Sequence, residues 1–439
     1  NAPQLRILSI AKTGGHDVIT WFVDTVELRV DYTSTPPTGS FLSASQKLNN
    51  TGVVDISFQA DDANDDDLVA RIDYVEGATC NFTTPLDPTL DETDANATSS
   101  STVDPKVEND NTYQIGNTSG YINTSQGQNT VSFDWLSATD IPNASTTYCL
   151  RLTLSDGVVD QTVPDTQTVY IDNAGPVFNN VSFNPGSGVL IVGDTATATI
   201  SSDGIGYTAG TMTINGVDVS STLIDNGDNT YSVTYTVVEG NTDRLDTADL
   251  PVSFVLEDAY GNISSAYTTA DAGNRPGVDA NTPVITNASF VNDVYKIGDT
   301  VTLTLTVNSD SDTYILGAST INEVSVSTIR KNNNTTYEVD YIVSAGHLDR
   351  SAGAIPISIV LQDTAGNTTA AYTTPAGNSA SVDANAPTIT SISIPDTDMK
   401  VDDLVTATIT VGADGGDTYT LTSVTFGGFS LGPLTRLGP

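Results

Sequence analysis

Aspartate and asparagine are the residues in this sequence whose types and spacing best suit chemistry. The run Asp61-Asp62-Ala63-Asn64-Asp65-Asp66-Asp67 sets side-chain oxygens at alternate positions, Asp62, Asn64 and Asp66. A turning loop with that spacing can wrap a hard cation, and calcium is the cofactor it would suit. The EF-hand pattern is not met, because the expected glycine and the terminal glutamate are missing. The competing reading is a solvated acidic turn. Asp172, Asp279 and Asp383 stand at three similar junctions, and Asp258 and Asp363 in two similar later turns. If these meet between consecutive domains they can share a calcium ion that stiffens the linker. Otherwise they satisfy backbone donors within their own turns, as Asp and Asn commonly do.

Catalytic constellations are not evident. The histidines are His16 and His347, far apart and outside any His-Glu-x-x-His helix or triad pattern. A sugar-cleaving cleft would need aromatic platforms beside a carboxylate of raised pKa, whereas the tryptophans are Trp21 and Trp135, and Trp135 sits in a strand-like run that suits a core. No phosphate-cradling glycine loop and no basic-aromatic patch occurs, so the chain is expected not to be an enzyme. Cys80 and Cys149 are expected to pair as a disulfide, as in many exported β-domains, with two buried thiols as the alternative. Asn49, Asn81, Asn96, Asn117, Asn123, Asn143, Asn180, Asn262, Asn287, Asn333, Asn334 and Asn367 all fit Asn-x-Ser/Thr, the acceptor pattern for N-glycans. In a sequence so rich in Ser and Thr many such matches arise by accident.

The residues that must position these groups are those of pleated strands. Thr, Ser, Val, Asn, Asp and Gly dominate, while Met, Lys and Glu are scarce, which disfavours helices and suits strands joined by polar turns. The formal charge of -39 arises from 54 acidic against 15 basic residues. Such a surface repels phosphate backbones and anionic lipid, so no nucleic-acid partner is expected. No apolar stretch is long enough for a membrane-spanning helix. Asn1 follows no basic or apolar leader, so a secretory signal, if one existed, is expected to have been removed.

Internal repetition sets the organisation. Ile171-Asp172-Asn173-Ala174-Gly175-Pro176, Val278-Asp279-Ala280-Asn281-Thr282-Pro283 and Val382-Asp383-Ala384-Asn385-Ala386-Pro387 share one pattern, with the prolines 107 and then 104 residues apart. Gly193-Asp194-Thr195 returns as Gly298-Asp299-Thr300 and, loosely, as Asp402-Asp403-Leu404. Asp258-Ala259-Tyr260-Gly261-Asn262 returns as Asp363-Thr364-Ala365-Gly366-Asn367. Within each repeat Val301, Leu303, Leu305 and Val307 alternate with threonines, and Tyr231 to Val237 behaves likewise, so one face is buried and the other wet. Asn215-Gly216 and Asn226-Gly227 mark tight turns between antiparallel strands. The period is that of one immunoglobulin-sized module.

On the Asp-x-Asn junctions, the Gly-Asp-Thr strand starts and the Asp-x-x-Gly-Asn turns, residues from about 176 to 439 resemble the immunoglobulin-like repeats of bacterial and archaeal surface proteins, of the surface-layer or adhesin type. Residues 49–174, with Asp55-Ile56-Ser57-Phe58-Gln59-Ala60 and Tyr148-Cys149-Leu150-Arg151-Leu152, resemble a fibronectin type III or cadherin-like module. The expected fold is all-β, a tandem of immunoglobulin-like β-sandwich domains: 49–174, 175–281, 282–385 and an incomplete repeat at 386–439. Residues 1–48, which include the apolar stretch from Val18 to Val30, are expected to form strands of a small domain of their own or a strand swapped into a neighbouring subunit. The last repeat stops partway through a sandwich, so the chain is expected to continue in a longer protein, or a second chain completes its sheet.

These features imply an extracellular, cell-surface structural protein that self-associates into a lattice or filament, with cell-surface glycans as a further possible partner. An adhesin stalk carrying a distal binding domain is the alternative, and a non-catalytic array appended to a secreted hydrolase is the third.

Overall fold

Alternating apolar and polar residues fold here into sheets buried on one face. The computed structural model describes residues 33–92, 97–101, 103–116, 120–269, 276–308, 312–412, 418–431 and 434–437. Among them helix is confined to two short turns, Ser137–Asp140 and Ser220–Thr222. The chain divides into two compact units, Asn1–Ala174 and Gly175–Pro439.

The first unit holds one β-sandwich. One sheet orders Thr38–Gln46, Val53–Asp61, Asn129–Leu136 and Thr98–Ser99, and the other orders Val69–Glu76, Ser145–Ser155 and Asp165–Asp172. Val54, Ile56, Phe58 and Ala60 point inward from one strand and meet Val131, Phe133 and Trp135 from its antiparallel neighbour, in the register Ile56 to Phe133. Ala70, Ile72 and Tyr74 face them from the second sheet with Leu150, Leu152 and Leu154. Each of the valine, isoleucine, leucine and phenylalanine side chains among them contributes about 1.5–3 kcal/mol by leaving water, which is what makes the register firm. Trp135 is fully buried, packs against Tyr74 with the rings tilted by 38° and donates its indole N–H to Asp140 Oδ2 at 2.6 Å, a core role as expected. Cys80 and Cys149 are joined by a disulfide.

Residues 38–46 do not stand apart from this sandwich. Thr38–Gln46 pairs along its length with Val53–Asp61, and Phe41 and Ala44 lean on the core, so the first sandwich begins by Thr38 and not at residue 49. The sequence hid this because the strand's exposed face is nearly all Ser and Thr and its apolar residues are few. The stretch from Val18 to Val30, with His16 and Trp21, lies outside the described residues.

Two sandwiches of one design follow in the second unit. In one, Phe178–Asn184, Thr195–Ser202, Thr230–Thr236 and Ile224–Asp225 form a sheet, and in the next Ile285–Phe290, Thr300–Val307, Thr336–Ile342 and Ile329–Asn333 form its equivalent. The pairing Ala198 to Val233 becomes Leu303 to Val339. The opposite layers are Thr208–Ile214 with Val252–Glu257, and Ser319–Ile321 with Ile357–Ser358. Each sandwich has its own buried core, one from Val181 to Ala280 and the other from Ile285 to Ala384. A short parallel pair closes each repeat: Val189–Ile191 with Gly277–Asp279, and Val294–Lys296 with Ser381–Asp383.

The Gly-Asp-Thr starts have a backbone cause. Gly193 and Gly298 both sit at φ 94°, and the following aspartate caps the turn by accepting an amide hydrogen, Ile191 N–H on Asp194 Oδ2 at 3.0 Å and Lys296 N–H on Asp299 Oδ2 at 2.8 Å. The loose match at Asp402-Asp403 has the same geometry: Asp402 takes φ 73° and Asp403 Oδ2 accepts Lys400 N–H at 2.7 Å. Left-handed backbone favours glycine and tolerates aspartate, which explains the substitution. This last segment pairs Ile389–Ser393 with Thr408–Val411 and Thr425–Phe426 with Phe429–Ser430, and none of its described residues from 385 onward is buried.

Candidate metal centres

The loop after Val53–Asp61 folds back on Asp62. Its Oδ1 accepts the amides of Asn64 at 2.7 Å and Asp66 at 3.5 Å, its main-chain carbonyl accepts Asp65 N–H, and Asp65 turns through φ 60°. Asp62 is 3% exposed, and its Oδ2 is buried with no hydrogen-bond partner. Carboxylate oxygens of Asp62, Asp66 and Asp156 lie within 4.8 Å of one another. Asp156 comes from the turn between Ser145–Ser155 and Asp165–Asp172, where Oδ1 accepts Val158 and Val159 N–H at 2.7 Å and Oδ2 accepts the Ser34 hydroxyl. Burial pushes the Asp156 carboxyl up, but the bonds from Ser34, Val159 and Val158 outweigh it and hold the group below its usual value.

Asn64, expected as the middle ligand, has another task. Its side-chain oxygen accepts Thr35 N–H at 2.9 Å, tying the loop to the segment before the first strand. The sequence pattern found two of the three carboxylates. The third, Asp156, was visible only as part of an Asp-Gly turn, because its neighbours in space are supplied by a strand pairing nearly a whole domain away in sequence.

A second cluster joins the two full repeats. Carboxylate oxygens of Asp279, Asp312 and Asp363 lie within 4.8 Å of one another. Asp279 ends the last strand of the second sandwich, while Asp312 and Asp363 belong to the third. The turn from Asp363 to Asn367 sets the geometry: Asp363 Oδ1 accepts Gly366 N–H at 2.7 Å and Asn367 N–H at 2.9 Å, and Asp363 N–H bonds to Asn367 O. Asp363 is 3% exposed, and its Oδ2 is buried without a hydrogen-bond partner. Desolvation pushes Asp279 up to about 6, with the charges of Asp363, Asp312 and Asp243 adding to the rise and the Asn281 amide opposing it.

The other junction aspartates do local work. Asp172 Oδ1 accepts Ala174 N–H at 3.4 Å, and Asp383 Oδ1 accepts Asn385 N–H at 3.3 Å. Asp258 is satisfied in its own turn, accepting Tyr260 and Asn262 amides on Oδ1 and the Asn262 side chain on Oδ2 at 2.9 Å. None of these belongs to a group of three or more potential metal ligands among the described residues. The asparagine of each Asp-Ala-Asn junction is held by an upstream aspartate instead: Asp243 binds Ala280 N–H and the Asn281 side chain, and Asp349 binds Ala384 N–H and the Asn385 side chain.

Two glycan acceptors fail on burial. Asn367 is 2% exposed and Asn262 7%, and both side chains are engaged, so neither can carry a glycan in the folded chain. Asn49, Asn81, Asn143, Asn180, Asn333 and Asn334 are exposed, Asn123 and Asn287 half-buried, and Asn96 and Asn117 lie outside the described residues. His347 accepts Ser344 N–H on Nδ1, 2.8 Å from the Tyr341 hydroxyl, a structural role.

A repeated polar clamp escaped the sequence reading. Asn215 and Asn322 both sit buried at φ 52°. Asn322 Nδ2 donates to Tyr341 Oη at 3.0 Å and Leu348 O at 2.9 Å, and its Oδ1 accepts Arg350 Nε at 2.7 Å. Asn215 does the same with Tyr235, Thr242 and Arg244. The recurrence of Asn, Tyr and Arg at matching positions in both repeats was the available signal.

No family model and no curated protein matches the chain. Solved structures similar to it include the I9–I11 tandem from titin, at 12% identity over 79% of this chain and 98% of that one, TM-score 0.27. Others are the N-terminal four Ig domains of Dscam1 isoform 4.4, at 9% identity over 86% of each chain, TM-score 0.21, and domains 1–6 of the surface layer protein SbsC, at 12% identity over 82% of this chain and 56% of that one, TM-score 0.15. At these TM-scores the likenesses carry no argument about function.

Proposed function

We propose that the chain is a structural component of a cell surface, a non-enzymatic string of immunoglobulin-like sandwiches that self-associates into a layer or filament. The observation that carries this reading is repetition of structural chemistry. The second and third sandwiches repeat their sheet register, their strand-starting turns and their Asn-Tyr-Arg clamp, so the residues kept between repeats are those that hold the fold. The Cys80–Cys149 disulfide supports an oxidising, extracellular compartment. A net charge of -39 suits solubility outside the cell and a demand for counter-cations.

Self-association decides between this reading and an adhesin stalk. Purified chain, followed by light scattering and electron microscopy, is expected to form particles with one repeating interface. A chain that stays monomeric and extended, with and without divalent cations, would favour the stalk and sink the assembly reading.

A further inference from the structure

We propose that the chain binds two hard divalent cations of the calcium class, one within the first sandwich at Asp62, Asp66 and Asp156, and one at the joint between the second and third sandwiches at Asp279, Asp312 and Asp363. Clusters of acidic residues are common on protein surfaces. What sets these two apart is that each contains a carboxylate oxygen buried away from water and bonded to nothing, Asp62 Oδ2 and Asp363 Oδ2. A buried charged oxygen without a partner is costly, and the cost falls when a cation completes it.

The same fold shows what it does when no cation is needed. Asp73 Oδ1 is also buried without an aligned hydrogen bond, but the Arg71 guanidinium stands 2.7 Å from it and Arg151 grips the other oxygen at 2.6 Å, so that carboxylate is charge-paired by the protein. No such ion pair reaches Asp62 or Asp363 among the described residues, and the groups gathered around each are like-charged.

The two related turns sharpen the contrast. In the second sandwich Asn262 closes back on Asp258 and occupies its Oδ2. In the third, the equivalent Asn367 is turned away to bond Asp279, which leaves Asp363 Oδ2 open beside Asp279 and Asp312. The diverted asparagine thus both ties the sandwiches together and leaves a buried ligand oxygen unpaired at the joint. Lys331, the nearby cation, donates to the main-chain carbonyl of Asp312.

All six side chains offer hard oxygen, with no His or Cys among them, which selects calcium-like ions over zinc or copper. Three carboxylates leave coordination positions for water and main-chain carbonyls, as calcium sites allow. In the joint site the ligands come from both sandwiches, so a bound cation would cross-link them and restrict their relative motion. Binding does not require self-association, so a monomeric chain that takes up two cations would overturn the assembly reading alone.

The test is calorimetric titration of calcium into the full chain after chelation, with melting in chelator to check folding. Two sites are expected, with affinities in the range of about 0.1–1 mM seen for extracellular calcium modules. Asp62→Asn should remove one and Asp363→Asn the other, the amide oxygen keeping each turn's hydrogen bonds. Asp312→Asn, which leaves the Asp363 turn untouched, should weaken the joint site at least about tenfold. Absence of binding up to about 10 mM calcium, or isotherms unchanged in all three variants, overturns the proposal. An effect confined to Asp62→Asn overturns the joint site, and one confined to the other two overturns the first.

Discussion

Asn367 bonds to Asp279, 88 residues earlier and in a different sandwich, donating its side-chain amide to the Asp279 carbonyl at 3.2 Å and carboxylate at 3.1 Å. Its side-chain oxygen accepts Val192 N–H at 2.9 Å, so one buried residue holds the end of one strand and the turn after another in the preceding repeat. Asn367→Ala removes all three bonds and leaves Val192 N–H unpaired. A loss of about 1–3 kcal/mol is expected, read as a lowered melting temperature in chelator, with faster proteolysis near residues 279–284. Melting and cleavage like those of the parent chain would show that the joint does not depend on this side chain.

The clamp at Asn322 should be worth more. Alanine there leaves Tyr341, Leu348 O and Arg350 without their shared partner and puts at φ 52° a residue that tolerates left-handed backbone less well than asparagine. An unsatisfied buried group costs roughly 1–3 kcal/mol, and the poorer fit of alanine to this backbone adds to it, so Asn322→Ala should lose about 1–3 kcal/mol or somewhat more in urea unfolding. Asn322→Gly should recover about 1 kcal/mol by relieving the backbone alone. If glycine and alanine are equally destabilising, the backbone contributes nothing and the clamp is purely a hydrogen-bond device.

Much of this architecture is legible in the sequence because it is local. Val301, Leu303, Leu305 and Val307 alternate and are buried, and the Gly-Asp turns recur because φ near 94° selects glycine. The candidate cation sites were half legible. Asp62 and Asp66 are near in sequence, and Asp279 and Asp363 belong to repeated motifs, but Asp156 and Asp312 are brought in by sheet pairing that no local pattern encodes. The two unpartnered oxygens are invisible in sequence for a further reason: they depend on where a neighbour's hydrogen bonds go. Asn367 illustrates this, since its sequence context marks it as a glycan acceptor and the end of a repeated turn, yet its fold makes it a buried tie.

Removing the disulfide should act on one domain only. Cys80 and Cys149 close a loop of sequence separation 69, and Cys149 is fully buried against the first core. Restricting so long a loop in the unfolded chain is worth about 2–4 kcal/mol. The double variant Cys80→Ala/Cys149→Ala should therefore lower the melting of the first sandwich while the transitions of residues 175–385 stay in place. A uniform shift of every transition would mean that the domains unfold as one cooperative body.

Acid should selectively loosen the edge of the third sandwich. Arg330 donates to Asp340 through both terminal nitrogens and reaches Glu338 Oε2 at 2.8 Å, and Thr302 adds a hydroxyl bond to Asp340 at 2.8 Å. The Arg330 bond, and secondarily that of Thr302, hold the Asp340 carboxyl below its usual value against the opposing effect of burial. Because the folded pKa is depressed, the folded state binds fewer protons than the unfolded chain as pH falls through the carboxylate range. The stability from this pair is then complete above the unfolded value near 3.8 and is lost as pH drops through the folded value. Arg330→Gln should therefore be less stable than the parent chain at neutral pH, with the difference shrinking as the carboxylates protonate, and shrinking also in high salt because the pair faces solvent. Urea titrations of both proteins at several pH values check this, and a difference that is constant from neutrality into acid would assign Arg330's role to packing of its side-chain stem and not to charge.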